Sequence, residues 1–190
     1  MCRFYKIIIA AIFCCQLFFN SCKPTSPSPG KTGVDSGDTI LNAFKHFFND
    51  TLPAPKNYVS DYENIFTPAE EDSLNRLIAS FEKETTNQVA VVSFDTTMIS
   101  KQNFDPLTLQ LARVWGIGQK EKNNGILIGI CAGYKKMRIQ NGTGIEKVLS
   151  GEATKAIVDS SFIPFFKQSD YFNGTVTGIH AIIQYLNKSR

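Results

Sequence analysis

The chain has 190 residues, 20 of them Lys or Arg and 17 Asp or Glu, and a formal net charge of +3. That length suits one domain with an appended segment. The small excess of positive charge, with no basic stripe interleaved with aromatics, argues against a nucleic-acid surface, and no nucleic-acid partner is expected.

In chain order, Arg3 and Lys6 lead into an uncharged apolar run over residues 7–19. A run of about 13 residues suits a secretion signal and falls short of the ~20 needed to span a bilayer. Ser21 then precedes Cys22 in Phe19-Asn20-Ser21-Cys22, which resembles a bacterial lipobox. Residues 1–21 therefore read as a lipoprotein signal peptide and Cys22 as the lipidated first residue of the mature chain. Loss of Arg3 and Lys6 leaves 18 basic residues against 17 acidic ones. Residues 22–55 read as the lipidated cysteine and a tether. Pro24, Pro27, Pro29, Gly30, Gly33 and Gly37 mark a segment too polar to offset its own ordering entropy. Within it, Ile40, Leu41, Phe44, Phe47 and Phe48 predict a short amphipathic helix over 39–49.

Of the five cysteines, Cys2, Cys14 and Cys15 fall in the signal and Cys22 takes the lipid. Cys131 is left without an intramolecular partner, so the mature chain has no disulfide framework. At the end of an apolar run it reads as a small core residue, kept unreactive by burial.

Residues 56–190 read as one domain. Thr67-Pro68-Ala69-Glu70 is a helix start, and Leu74, Leu77, Ile78 and Phe81 continue at helical spacing. Val89-Ala90-Val91-Val92 predicts a buried strand, Asp105-Pro106 opens a helix through Trp115, and residues 125–131 predict a second buried strand. Ala132-Gly133-Tyr134 turns that strand into an antiparallel neighbour over 135–140, with Met137 and Ile139 inward. Two further helices are expected over 152–162 and 171–186, separated by Pro164 and a Ser169-Asp170 start. Helices before, between and after strands predict an α/β fold, a three-layer α/β/α sandwich with a small mixed sheet.

The stretch from 113 to 130 is the most distinctive. Arg113-Val114-Trp115-Gly116-Ile117-Gly118 puts the sole tryptophan before two glycines, and Asn123-Asn124-Gly125 opens the buried strand. It reads as a helix-to-strand crossover, a neighbourhood in which open α/β sheets place ligands, with Trp115 anchoring the core beneath the loop.

Familiar catalytic patterns are missing. His46 and His180 are not spaced as a metal pair, and there is no Gly-x-Ser-x-Gly elbow. Gly142-Thr143-Gly144 lacks the third glycine of a dinucleotide fingerprint and the run of a P-loop. Arg138 is either a phosphate contact or, more simply, a solvated surface charge. Asp61 reads equally as a ligand and as a cap or turn residue. Glu146 reads as a ligand or as a carboxylate favouring a helix start, and Asn124-Gly125 as a backbone device.

Several pieces, taken in order, resemble the TPM domain, a family of thylakoid-lumen and bacterial envelope proteins. They are Val59-Ser60-Asp61-Tyr62, the Thr67 cap, Trp115-Gly116-Ile117-Gly118 and Asn124-Gly125-Ile126-Leu127. Arg138-Ile139-Gln140-Asn141-Gly142-Thr143-Gly144-Ile145-Glu146 and Pro164-Phe165-Phe166-Lys167 with Asp170-Tyr171 and Gly174 complete them. The resemblance implies an α/β/α sandwich with acidic residues gathered from loops at one end of the sheet. It also implies either calcium binding or weak acid phosphatase activity. Asp61 and Glu146 match its acidic positions; Asn123 and Gly151 stand where the family commonly has Asp. With two charges fewer, a metal set of Asp61, Asn124 and Glu146 is expected to hold Ca2+ only weakly. The expected protein is anchored to a bacterial membrane by its N-terminal lipid alone, with its domain outside the cytoplasm. There it serves as a binding module for an envelope protein partner. The alternative is a weak metal-dependent acid phosphatase acting through the same three residues.

Overall fold

Four strands form one mixed sheet in the order β1-β2-β3-β4: Val59–Asp61 (β1), Gln88–Ser93 (β2), Gly125–Cys131 (β3) and Lys136–Asn141 (β4). The first three run parallel and β4 runs antiparallel to β3. The computed structural model describes residues 53–189. The signal peptide, Cys22, nearly all of the tether and the helix expected over 39–49 lie outside them.

The strands sort their side chains with a period of two. Val89, Val91, Ile126, Ile128, Ile130 and Ile139 join one buried cluster, while Ala90, Val92, Leu127 and Cys131 join another. On the first face lie Pro68–Thr85 (α1) and Tyr171–Lys188 (α6), which contribute Leu74, Ile78 and Phe81, then Ile179, Ile182 and Leu186. On the second lies Phe104–Val114 (α2), with Phe104, Leu107 and Leu111. Both faces are therefore covered, and the expected three-layer sandwich is observed.

Local signals place the helices where they were read. Thr67 and Glu70 form the reciprocal capping box of α1, with Thr67 N–H donating to Glu70 Oε2 at 2.7 Å, and Asp170 Oδ1 caps α6 by accepting from Asn173 N–H. Between β4 and α6 come Thr143–Glu146 (α3), Gly151–Ile157 (α4), a π-helical turn at Val158–Phe162, and Ile163–Phe166 (α5). Two expectations need correction here. Pro164 does not separate two helices: it sits in the first turn of α5, where its missing N–H costs nothing. The break comes later, over residues 167–170. Residues 59–61, in which Asp61 read as a ligand or as a cap or turn residue, form a strand, because pairing with Val91, Val92 and Ser93 overrides the brevity of the segment. Among the described residues, no helix is long and apolar enough to cross a membrane.

Candidate functional site

The sheet separates the residues that the sequence singled out. Asp61 pairs with Ser93 at the carboxyl end of β2, whereas Gly125 pairs with Gln88 at its amino end. Five residue steps of strand separate these levels, a distance of ~17 Å at about 3.3 Å per residue. Asn124 precedes Gly125, and Glu146 ends α3, whose Gly144 N–H donates to the Asn123 carbonyl at the same amino end. The structure therefore brings Asn124 and Glu146 to one end and Asp61 to the other, and the expected convergence of all three does not occur. Spacing along the chain carries no information on which end of a strand a distant loop reaches. Among the described residues, no group of three or more His, Cys, Asp or Glu is placed to hold a metal ion.

Asp61 is buried, and its carboxylate is engaged. Oδ2 accepts from Phe66 N–H at 2.8 Å and Oδ1 accepts from the Ser93 hydroxyl. Ser93 Oγ in turn accepts from Tyr62 N–H and Glu63 N–H, each at 2.9 Å. These bonds staple the loop after β1 onto the end of β2. Lys56 Nζ caps the Asp61 carbonyl at 3.1 Å and lies 4.7 Å from the Tyr62 ring centre. Sequence reasoning missed Glu63, which bridges from this loop to the β3–β4 turn by accepting from Ala132 N–H and Gly133 N–H. It also missed Glu71, whose pKa is raised first by burial and then by the charge of Asp61. The only available hint was a run of acids at two- and ten-residue spacing from Asp61, a pattern any solvated helix start also shows.

Asn124 is equally committed. Its Oδ1 accepts from Gln119 N–H and its Nδ2 donates to the Thr86 carbonyl, at 2.8 and 2.7 Å. Gln88 works beside it, accepting from Gly118 N–H and donating to Glu82. Gly118 has φ 101°, and a Cβ there would lie 2.5 Å from Gly125 N, so only two glycines let these backbones meet. The distinctive stretch from 113 to 130 is thus a structural knot. A turn from helix to strand necessarily lies at the amino end of a parallel sheet, whereas open sheets bind ligands at the carboxyl end. Trp115 is half-buried, and its Nε1–H donates to the Pro53 carbonyl at 2.8 Å, fastening the start of the described chain to α2. Glu146 is exposed. The three residues do not fit a shared Ca2+ site, since hard cations need several free oxygens around one point.

Three clefts are lined in part by β4, and two of them follow it from Lys136 to Asn141. One, of about 330 Å³, is walled by Met137, Ile163, Phe166 and Tyr171 with Lys135 and Lys167 at its rim. The other, of about 260 Å³, adjoins it along β4 from Met137 to Asn141 and reaches α4 at Thr154 and Lys155. The Tyr171 hydroxyl has a raised pKa from burial, with the charges of Glu63 and Cys131 adding to it. Lys155 pairs with Asp159 and Lys136 with Asp105, whereas Lys135, Arg138 and Lys167 form no ion pair among the described residues. Asn141 Oδ1, on the second cleft, is buried with no hydrogen-bond partner. The arrangement offers a ligand one apolar pocket, a second more polar one, and cations without ion-pair partners among the described residues.

Three bacterial proteins of known structure share this architecture. The N-terminal domain of a protein from P. gingivalis, solved by solution NMR, is 27% identical with a TM-score of 0.63, over 70% of this chain and 83% of that one. The BA42 protein from the psychrophilic bacterium Bizionia argentinensis is 23% identical with a TM-score of 0.59, over 67% and 86%. The N-terminal domain of the cg2496 protein from Corynebacterium glutamicum is 14% identical with a TM-score of 0.53, over 74% and 85%, and like BA42 it speaks to the fold alone. No curated protein matches. The model of the TPM domain matches residues 59–185, from the first strand into the last helix, and the chain belongs to the TPM domain family.

Proposed function

We propose that this protein is anchored to a bacterial envelope membrane by lipid on Cys22 and that its TPM domain is a binding module for another envelope protein. The observation that carries the binding role is the pair of adjoining clefts beside β4, the first walled by apolar side chains and rimmed by Lys135 and Lys167, the second more polar. Concave apolar surface with a few polar groups is the usual form of a recognition site. The anchor rests on the small residue before Cys22 and the polar tether after it. Stable attachment needs more than one acyl chain, as a lipidated N-terminal cysteine provides.

The test pairs wild type with Cys22→Ser in a bacterial host. Wild type sediments with membranes and carries acyl chains by mass spectrometry; the variant stays in the soluble fraction. Equal sedimentation of both would remove the anchor. Chemical cross-linking in intact envelopes then yields a discrete adduct of the wild-type chain, and its absence would remove the binding role.

The rival reading is a weak metal-dependent acid phosphatase with a Ca2+ site at Asp61, Asn124 and Glu146. It needs these groups around one substrate, and they lie at two ends of the sheet. Turnover of a generic phosphomonoester that requires added calcium or magnesium and falls with Glu146→Ala would restore it.

A further inference from the structure

We infer that β4 is an open docking edge that takes an extended acidic segment of a partner polypeptide as a fifth strand. The inference rests on the binding-module reading and names its surface and ligand. Gly142 N–H donates to the Gly125 carbonyl at 2.8 Å, while the carbonyls of Asn124 and Ile130 accept from β2-side amides. Odd-numbered residues of β3 therefore bond to β4 and even-numbered ones to β2. With the register Leu127 to Gln140 and Gly129 to Arg138, the N–H and C=O groups of Met137, Ile139 and Asn141 point away from the sheet. No hydrogen bond to these six groups is present among the described residues.

The opposite edge is different. β1 has three residues, and the outward N–H of Val59 is taken by the Asn75 side chain at 3.0 Å. That edge is short and capped, as edges that avoid pairing usually are. The β4 edge has six residues and faces two clefts.

Residues directly opposite one another in a sheet share a face, so β4 dictates what the added strand carries. Opposite Met137, its side chain would point into the apolar cleft with Ile163, Phe166 and Tyr171, and opposite Ile139 into the second cleft, beside Val158 and Thr154. Opposite Lys136 and Arg138, on the α2 side, acidic side chains are favoured, with Lys135 and Lys167 adding charge at the rim. The ligand is therefore an alternation of apolar and acidic residues. The same cations disfavour a second copy of β4, whose Lys136 and Arg138 would approach their own kind.

The test uses the non-lipidated chain (Cys22→Ser) and a blocked heptapeptide alternating Glu with Val. NMR titration with amide exchange is expected to show at least about tenfold slower exchange at Met137, Ile139 and Asn141, with no change at Val59. A peptide with Lys in place of Glu binds roughly fivefold or more weakly, as does the Glu peptide to Arg138→Glu. Met137→Pro, which removes one outward N–H at an edge position that tolerates proline, abolishes the protection; slow exchange at Leu127 reports that this variant remains folded. No protection at millimolar peptide, or equal binding of the Lys peptide, overturns the inference. A cross-linked envelope partner that Met137→Pro retains undiminished also overturns it, while leaving the binding-module reading standing.

Discussion

Replacing Asp61 distinguishes a structural carboxylate from a ligand. Ser93 Oγ already accepts two backbone N–H groups, from Tyr62 and Glu63, so its lone pairs are occupied and its proton must go to Asp61. Phe66 N–H needs the other carboxylate oxygen. Asp61→Asn keeps the volume but supplies only one acceptor oxygen, so either Ser93 or Phe66 faces an amide N–H. Hydrogen bonds to a charged group contribute about 1.5–3 kcal/mol each, and Asp61→Asn is expected to cost that much. Asp61→Ala removes both and should cost about 3–5 kcal/mol, a large part of the ~5–15 kcal/mol of a typical domain. Urea denaturation followed by circular dichroism measures both values. If both variants lie within ~0.5 kcal/mol of wild type, the side chain is not consumed in holding the loop after β1, and the argument against Asp61 as a free ligand collapses.

Other outcomes follow from packing and from the raised pKa values. A Cβ on Gly178 would lie 2.0 Å from the ring of Phe162, which is fully buried in the π-helical turn, so Gly178→Ala should lose about 1–3 kcal/mol. Gly151→Ala, with nothing within 4 Å, should be neutral or gain up to ~1 kcal/mol from helix propensity in α4; parallel denaturation curves check the contrast. The Cys131 thiol is buried and its pKa raised chiefly by that burial, so a thiol reagent at pH 7.5 should label the native chain far more slowly than the urea-unfolded one. Equal rates would place Cys131 at the surface. Cys131 and the phenols of Tyr58, Tyr62 and Tyr171 all have raised pKa values. Burial leads for Cys131, Tyr62 and Tyr171, and the hydrogen bond to Glu82 leads for Tyr58. The native state therefore keeps protons that the unfolded chain releases, and stability is full below the unfolded values and falls as pH rises past about 8.5–10. A thermal midpoint that rises between pH 8 and pH 10.5 would contradict this sign.

Much of the architecture was legible in the chain because it is written in short-range terms. The β-branched runs at Val89-Ala90-Val91-Val92 and Gly125–Cys131 can hardly be anything but buried strands, and Thr67 with Glu70 marks a helix start within four residues. What the tertiary structure alone decided is which groups meet. Three residues at Val59–Asp61 become a strand only because β2 is there to receive them. Asp61 loses its freedom to Ser93, 32 residues away, and Asn124 loses its own to Thr86, 38 residues away. Side-chain chemistry is local, but the end of the sheet to which a loop returns depends on strand direction and register, and these are set by long-range pairing.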